Sequence, residues 1–233
     1  MIKYLKETPI LDYNHQSIQN LIMERQWLTL EIKEQIKSIY NFVRDDIKFG
    51  YNIADSISAS EILKDEYGQC NTKASLLMAL LRAVGIPNRI HGFTIDKALQ
   101  KGAITGIWYV LSPNNILHSW VEICVEGEWF SLEGVILDKP YLKKLQEKFR
   151  GCTTTFCGYG AFTDNFINPA IDWDFNNTFI QHKGINQDFG LFDSPDDFYT
   201  AHQQKLNGFK GFIFRNVVRH LMNKNVKRIR NSR

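Results

Sequence analysis

One long apolar segment limits the folds that this chain can adopt. From residue 74 to residue 84 the side chains are Ala, Leu, Met or Val, apart from Ser75 and Arg82. A helix over this segment would therefore be apolar nearly all round. The sequence Gly85-Ile86-Pro87 predicts its end, because glycine tolerates positive φ and proline cannot continue a helix. The rest of the chain has to bury this helix on most of its sides.

Cys70 stands at the predicted start of the helix, directly after Gly68-Gln69. A thiol in the first turn lies near unpaired backbone N–H groups and the positive end of the helix dipole, which favour an anion. The same N–H groups suit the oxyanion of an acyl-transfer intermediate. The alternative is a buried free cysteine packed as a small apolar side chain, which is the commoner role of a lone cysteine.

Alternating residues further along the chain predict a β-hairpin. The segment His118–Val125 alternates between two faces, Glu126-Gly127 suits a two-residue turn, and Glu128–Glu133 alternates again. With this turn, Glu133 lies on the same face as His118 and in diagonal reach of it. A three-residue turn would move the carboxylate to the other face, so the pairing depends on register.

Cys70, His118 and Glu133 together supply a thiol, an imidazole and a carboxylate. A cysteine is an effective nucleophile as a thiolate, which a neighbouring imidazole steadied by an acid stabilises. Taken alone, His118 is most simply a hydrogen-bonded histidine at a strand edge, and Glu133 a solvated acid at a strand end. These interpretations are not favoured when both residues are considered together with Cys70. His91 is a rival imidazole without an acid at comparable spacing, so we expect it to be structural. Asp138 is a second candidate for the acid.

These residues resemble the catalytic core of the transglutaminase-like superfamily of papain-type thiol enzymes. The resemblance extends over roughly residues 35–140, with the motifs in the order and spacing of that family. The motifs are Gly68-Gln69-Cys70, Leu81-Arg82-Ala83-Val84-Gly85-Ile86-Pro87, His118-Ser119-Trp120-Val121-Glu122 and Trp129-Phe130-Ser131-Leu132-Glu133. The family usually has aspartate as its third member, and the longer Glu133 requires a slightly longer gap to the imidazole.

The resemblance implies an α+β fold, in which helical N-terminal residues and the catalytic helix pack on an antiparallel sheet. It also implies a cysteine enzyme that attacks an amide or ester carbonyl and forms a thioester on Cys70. Hydrolysis, as in a peptidase or amidase, is favoured over cross-linking or other acyl transfer. Two alternatives stay open: a catalytically silent binding module on the same fold, and a peptide N-glycanase-like deglycosylase. The deglycosylase is less favoured, because the paired Cys-x-x-Cys zinc motifs typical of those enzymes are missing.

Five further residues are candidates for substrate binding. Tyr51 and Gln69 are possible oxyanion donors, and Trp120 follows the catalytic histidine in its motif. Tyr159 and Trp173 belong to a long irregular segment, 151–197, that we expect to wrap the core and shape the acyl-donor groove. The alternative, which we favour equally, is that this segment only covers the core and has no role in substrate binding.

The predicted organisation is a catalytic core over residues 1–150 and an extension over residues 151–233 that packs on it. Residues 107–111, Ile-Trp-Tyr-Val-Leu, are predicted to form a strand. The chain ends in a basic stretch, with eight Lys or Arg and no acid from Lys210 to Arg233. Such a basic end could contact nucleic acid or an anionic membrane. We favour an amphipathic helix with a solvated basic face, because no aromatic residues are interleaved for stacking on bases. The residues expected to dock on the core are Phe212, Ile213, Val217, Leu221 and Met222.

Composition excludes several other classes of protein. With 44% hydrophobic and 23% charged residues, the chain is not wholly disordered. No apolar run approaches the ~20 residues that span a bilayer, and the polar start at Met1 does not resemble a signal peptide, so a cytoplasmic protein is expected. Cys124, Cys152 and Cys157 are expected to be structural thiols, without a disulfide framework or a metal site. We expect no cofactor, a peptide or protein substrate, no nucleic-acid partner and no membrane insertion, and the oligomeric state is left open.

Overall fold

The computed structural model describes residues 1–202 and 208–232. The α-helices are α1 (Gln16–Glu24), α2 (Ile32–Asn41), α3 (Ala59–Asp65), α4 (Cys70–Ala83), α5 (Ile107–Leu111), α6 (Lys139–Lys148), α7 (Pro195–Ala201), α8 (Gly208–Ile213) and α9 (Arg219–Arg230). The strands are β1 (Lys48–Phe49), β2 (Tyr67–Gly68), β3 (Asn88–Asp96), β4 (Asn115–Val125), β5 (Glu128–Leu132), β6 (Phe156–Gly158), β7 (Ala161–Thr163) and β8 (Ile185–Phe192). Helices and an antiparallel sheet in one structure confirm the predicted α+β class.

The main sheet has four antiparallel strands in the order β5-β4-β3-β8. Glu126 and Gly127 form the turn between β4 and β5 with φ values of 53° and 89°, the left-handed conformation that a tight two-residue hairpin turn requires. Val125 therefore pairs with Glu128. This is the register predicted from the sequence, and it directs the end of β5 back towards His118.

Helix α4 lies at the centre of the fold, as its apolar sequence predicts. Its residues from Cys70 to Arg82 are all buried, and it packs against β3 and β4 of the main sheet as well as against α2 and α3. Gly85 follows the helix with a φ of 84°, so the chain leaves the helix where the Gly-Ile-Pro sequence predicted. The burial of α4 fixes where its first residue, Cys70, faces the rest of the molecule.

The predicted strand at residues 107–111 is wrong, because this segment is the short exposed helix α5. A strand needs a free edge with which to pair, and both edges of β3 are already occupied by β4 and β8. The strand β8 comes from the segment 151–197, which was expected to be irregular. The β-prone side chains of residues 107–111 are therefore left on the surface.

The C-terminal helix docks through a different apolar stripe from the one predicted. Met222 is buried as expected, but its buried neighbours are Val218, Val226 and Ile229. Phe212, Val217 and Leu221 are exposed and Ile213 is only partly buried. The reason is the wide π turn over Phe214–Val218, which shifts the phase of the helix and rotates the predicted stripe away from the core.

Polar contacts complete the docking of α9. Asn223 accepts from the backbone N–H of Tyr51 at 2.7 Å and donates to the carbonyl of Tyr51 at 3.0 Å. Arg230 forms a 2.7 Å ion pair with Asp138 and donates to the carbonyl of Phe49. Arg233, the last residue of the predicted basic stretch, lies outside the described residues.

Gly92 offers a test of how α7 is held on the sheet. A Cβ added at this position of β3 would lie 2.2 Å from the ring of the fully buried Phe198 in α7. Gly92→Ala is therefore expected to lower the free energy of unfolding by about 1–3 kcal/mol, because the ring has to move out of a packed core. Urea denaturation would measure this, with Gly151→Ala as the control, since a Cβ there meets nothing within 4 Å. Equal stability of the two variants would contradict the packing described here.

Candidate active site

Cys70 is the first residue of α4, and its buried side chain lies at the wall of a cavity of about 500 Å³. The helix begins there because Gln69 is extended and its backbone N–H donates to the hydroxyl of Thr72 at 3.0 Å, which closes the first turn. The thiol is thus held at the positive end of a fourteen-residue helix. It is the one member of the predicted trio that lines the cavity.

His118 and Glu133 form a fully buried pair beneath the cavity wall. The His118 Nε2 atom and the Glu133 Oε1 atom are 2.8 Å apart, and both side chains are 0% exposed. Burial alone would lower the pKa of His118, but the charge and hydrogen bonding of Cys70 and then of Glu133 outweigh it and raise that pKa to about 9. The imidazole is therefore protonated at neutral pH. Its buried Nδ1 atom has no hydrogen-bond partner among the described residues, so this is the ring nitrogen left for the thiol.

The second oxygen of Glu133 is held by backbone amides. Its Oε2 atom accepts hydrogen bonds from the N–H groups of Ile180 at 2.8 Å, Gln181 at 2.9 Å and His182 at 3.0 Å. Burial tends to raise the pKa of Glu133, but the hydrogen bond and charge of His118 and these amides lower it below its ordinary value. The carboxylate is thus ionised and cannot rotate away from the imidazole. The two oxygens of Glu133 thus have different partners, Oε1 the imidazole and Oε2 the three amides.

Asn71 and Ser119 set the distance between the helix and the strand, and neither was predicted from the sequence. Asn71 Nδ2 donates to the carbonyl of Leu117 at 3.1 Å, and Ser119 Oγ donates to Asn71 Oδ1 at 2.9 Å. These bonds tie the residue after Cys70 to the two neighbours of His118. The sequence indicates such a role only through position, because Asn71 directly follows Cys70 and Ser119 directly follows His118.

Tyr51 and Gln69, the predicted oxyanion donors, both line the cavity with Cys70. The Tyr51 hydroxyl donates to Gln100 Oε1 at 2.6 Å, and burial raises the pKa of Tyr51 well above its ordinary value, so it is a neutral donor. Gln69 Nε2 donates to Asp55 at 2.9 Å, and Gln69 Oε1 accepts from the backbone N–H of Asn52 at 2.8 Å. Burial, the largest influence, raises the pKa of Asp55.

The other three substrate-binding candidates lie away from the cavity that Cys70 lines. Trp120 packs with Phe93, at 4.1 Å between ring centroids, on the face of the sheet that also carries His118. Tyr159 lines a separate cavity, where its hydroxyl accepts a hydrogen bond from Lys148, and Trp173 is buried in the core. The segment 151–197 instead approaches the site through the backbone at residues 180–182.

The alternative imidazole, His91, and the alternative acid, Asp138, both have partners other than Cys70 and His118. Both ring nitrogens of His91 contact carboxylates, Glu122 at 3.0 Å and Asp188 at 2.9 Å, which fits the structural role expected for it. Asp138 caps helix α6 and pairs with Arg230, whereas Glu133 contacts the imidazole.

Among the described residues, no group of three or more His, Cys, Asp or Glu side chains is arranged to hold a metal ion. Nor does the described part of the chain contain a helix that is both long and apolar enough to cross a membrane.

Parts of this chain match known sequences. Residues 23–134, which include Cys70, His118 and Glu133, match the model of the family described as "Transglutaminase-like superfamily". An uncharacterized protein of Bacillus subtilis strain 168, YebA, is 34% identical over 74 residues, which are 31% of this chain and 10% of that protein.

Three solved structures are also similar. A "Putative Cysteine Protease" from Cytophaga hutchinsonii has 14% identity and a TM-score of 0.47, covering 84% of this chain and 48% of that one. A "Putative Protease" from Parabacteroides distasonis has 16% identity and a TM-score of 0.35 over 56% of this chain and 24% of that one. Red sea bream transglutaminase has 18% identity and a TM-score of 0.31 over 57% of this chain and 25% of that one.

This chain spans about a tenth of the length of the B. subtilis relative and about half of the C. hutchinsonii protein. The family match contains the thiol, the imidazole and the acid, in the order that the motifs of the sequence predicted. Residues 23–134 of this chain therefore have the sequence pattern of the transglutaminase-like superfamily.

Proposed function

We propose that this protein is a cysteine hydrolase that cleaves an amide or ester bond through a thioester on Cys70. The observation that carries the proposal is the 2.8 Å contact between His118 Nε2 and the anchored carboxylate of Glu133, beside a thiol at a helix start. A drifted, silent site would have no reason to keep a buried charged pair, because burying it is costly unless both charges are matched. A peptide or protein is the proposed substrate.

The proposed reaction has two stages. The Cys70 sulfur attacks the carbonyl carbon, the oxyanion is met by first-turn N–H groups of α4, and His118 gives its proton to the leaving amine or alcohol. The C–N or C–O bond breaks and a thioester remains. His118 then removes a proton from water, which attacks the thioester, and Cys70 leaves with release of a carboxylic acid. Glu133 holds the imidazole in one orientation throughout and stabilises its charged form.

Water and a primary amine compete for the same thioester, so the two outcomes need separate measurement. Polar side chains surround the thiol side of the cavity, among them Asn52, Asp55 and Gln69, which suits entry of water. We propose that hydrolysis prevails and that cross-linking is minor.

Acylation by p-nitrophenyl acetate tests this proposal. Mass spectrometry of the intact protein and of its peptides is expected to show a transient acetyl group on Cys70, with free acetate as the product. Glycine methyl ester at millimolar concentration is expected to divert only a small share of the acetyl group. Cys70→Ala is the matched control, and it should retain only slow acetylation of the exposed Cys157. A Cys70 that is never acetylated would exclude the enzyme, and predominant amide formation would replace hydrolysis by acyl transfer.

A further inference from the structure

The mouth of the Cys70 cavity is rimmed by exposed apolar side chains. Helix α5 contributes Trp108 and Leu111 to one wall, and Ile213, Phe214 and Val218 contribute to the wall beside α9. In α5, Val110 is 69% exposed and Leu111 is 68% exposed. In the C-terminal segment, Phe212 is 58%, Val217 is 44% and Leu221 is 47% exposed. The two segments that line one cavity thus also carry large exposed apolar groups.

These groups are concentrated in two short segments rather than scattered singly. Helix α5 consists of Ile, Trp, Tyr, Val and Leu, and none of its residues is buried. On the other wall, the π turn at Phe214–Val218 turns part of the C-terminal apolar stripe outward, as described above. Isolated exposed hydrophobic residues are ordinary, but several large ones in two segments that line the same cavity indicate an interaction surface.

The charge around the same segment is of one sign. Arg215, Lys224, Lys227 and Arg228 are exposed, and the sequence has no acidic residue after Asp197. Asp55, the acidic residue that lines the cavity, is held by Gln69 and does not face this helix surface as a free carboxylate. Exposed apolar side chains beside Lys and Arg on one helical segment are typical of helices that lie in the interface of an anionic bilayer. The Trp108-Tyr109 pair adds aromatic rings with polar tips, which prefer the same depth.

We infer that the surface formed by α5 and residues 212–228 docks on an anionic lipid surface, with the mouth of the Cys70 cavity facing the lipid. The apolar residues enter the boundary between headgroups and acyl chains, while the basic residues contact the headgroups. No spanning segment is involved. The inference stands on the surface alone, so it holds or fails independently of the reaction proposed for Cys70.

Vesicle flotation tests the docking with the full chain. The protein is expected to float with vesicles of phosphatidylcholine and phosphatidylserine, and to bind vesicles of phosphatidylcholine alone about tenfold or more weakly. The triple variant Phe212→Ser, Val217→Ser, Leu221→Ser is expected to lose most of the binding. Its matched control is Met23→Ser, Leu28→Ser, Ile32→Ser, which removes equally exposed apolar residues from the N-terminal helices and should bind normally.

A charge reversal tests the contribution of the basic residues to binding. Lys224→Glu with Lys227→Glu is expected to weaken binding to anionic vesicles about thirtyfold or more, because two basic residues near the surface are lost and replaced by acids. Lys6→Glu with Lys64→Glu, also exposed, should leave binding unchanged. Thermal melting of each variant separates loss of binding from loss of fold. Absence of vesicle binding, equal binding to neutral vesicles, or full binding by the triple variant would each overturn the inference, as would binding of the patch to an acidic protein instead of lipid.

Discussion

Replacing His118 with alanine is expected to slow the alkylation of Cys70 by iodoacetamide at pH 7 on the order of 100-fold. The reactive form of cysteine is the thiolate, and an imidazole that is protonated at neutral pH stabilises a thiolate beside it. Without the imidazole, the buried thiol has only the helix start to stabilise its anion. Peptide mapping by mass spectrometry would follow Cys70 and Cys157 separately in the same sample.

Two internal comparisons make the alkylation result specific. Cys157 is exposed and should react at the same rate in both proteins. His91→Ala removes an imidazole from the neighbouring strand that pairs with Glu122 and Asp188, and it should leave Cys70 reactive. If Cys70 reacts equally fast with and without His118, then His118 does not activate the Cys70 thiol.

The pH dependence of turnover follows from the same pair. The pKa of His118 is raised to about 9, so the imidazole keeps its proton through neutral pH and loses it as pH rises through about 9. Protonation of the leaving group requires that proton, so hydrolysis of a model amide should fall on the alkaline side near pH 9. The same sign applies to stability: the contribution of His118 is complete below its unfolded pKa and disappears as pH rises through its folded pKa.

Glu133→Gln is expected to lower turnover on the order of 1,000-fold or more while leaving the fold nearly intact. The three backbone N–H groups of residues 180–182 need an acceptor, so the glutamine oxygen should take the place of Oε2. Its NH₂ group would then face His118 Nε2 and force that nitrogen to accept. The ring would carry its proton on Nδ1 and lose its stabilised charged form, so the proton could not be shared with Cys70 as before.

Two further variants separate the role of Glu133 in orienting the imidazole from its contribution to the stability of the fold. Glu133→Ala should also reduce the free energy of unfolding, by about 3–5 kcal/mol, because a buried charge partner and the acceptor of three amides disappear together. Glu122→Gln is the matched control, since Glu122 contacts His91 in a second pair on the same sheet, and turnover should be unaffected. Near-normal turnover of Glu133→Gln in a steady-state assay would show that the carboxylate does not orient the catalytic imidazole.

Acid should remove the same contact. The pKa of Glu133 is lowered by His118 and the amides, so its contribution to stability is present above its ordinary pKa and is lost as pH falls through the lower folded value. At low pH the carboxyl group becomes protonated, and it can no longer balance a charged His118.

Local patterns were enough to predict the elements that carry the triad. The apolar run of α4, its stop at Gly85 and the two-residue turn at Glu126-Gly127 are written in neighbouring residues, because helix ends and tight turns depend on local backbone preferences. Register then follows from the turn. The approach of Glu133 to His118 was therefore predictable without any knowledge of distant parts of the chain.

The two wrong predictions have different causes. Residues 107–111 have the composition of a strand but form α5, because β4 and β8 occupy both edges of β3. In that segment, competition for a sheet edge overrides local propensity. The apolar stripe of α9 is rotated by a π turn, which the spacing of the apolar residues did not indicate.

Local sequence was sufficient to predict the groups of the candidate site: a thiol at a helix start, an imidazole on a strand and an acid one hairpin later. The anchoring of the acid depends on the fold, since the amides that hold it belong to residues 180–182, almost fifty positions further along the chain. Backbone N–H groups exist at nearly every residue, so nothing in their side chains announces such a role. Which of them converge on one carboxylate is fixed by how the chain folds back over the sheet.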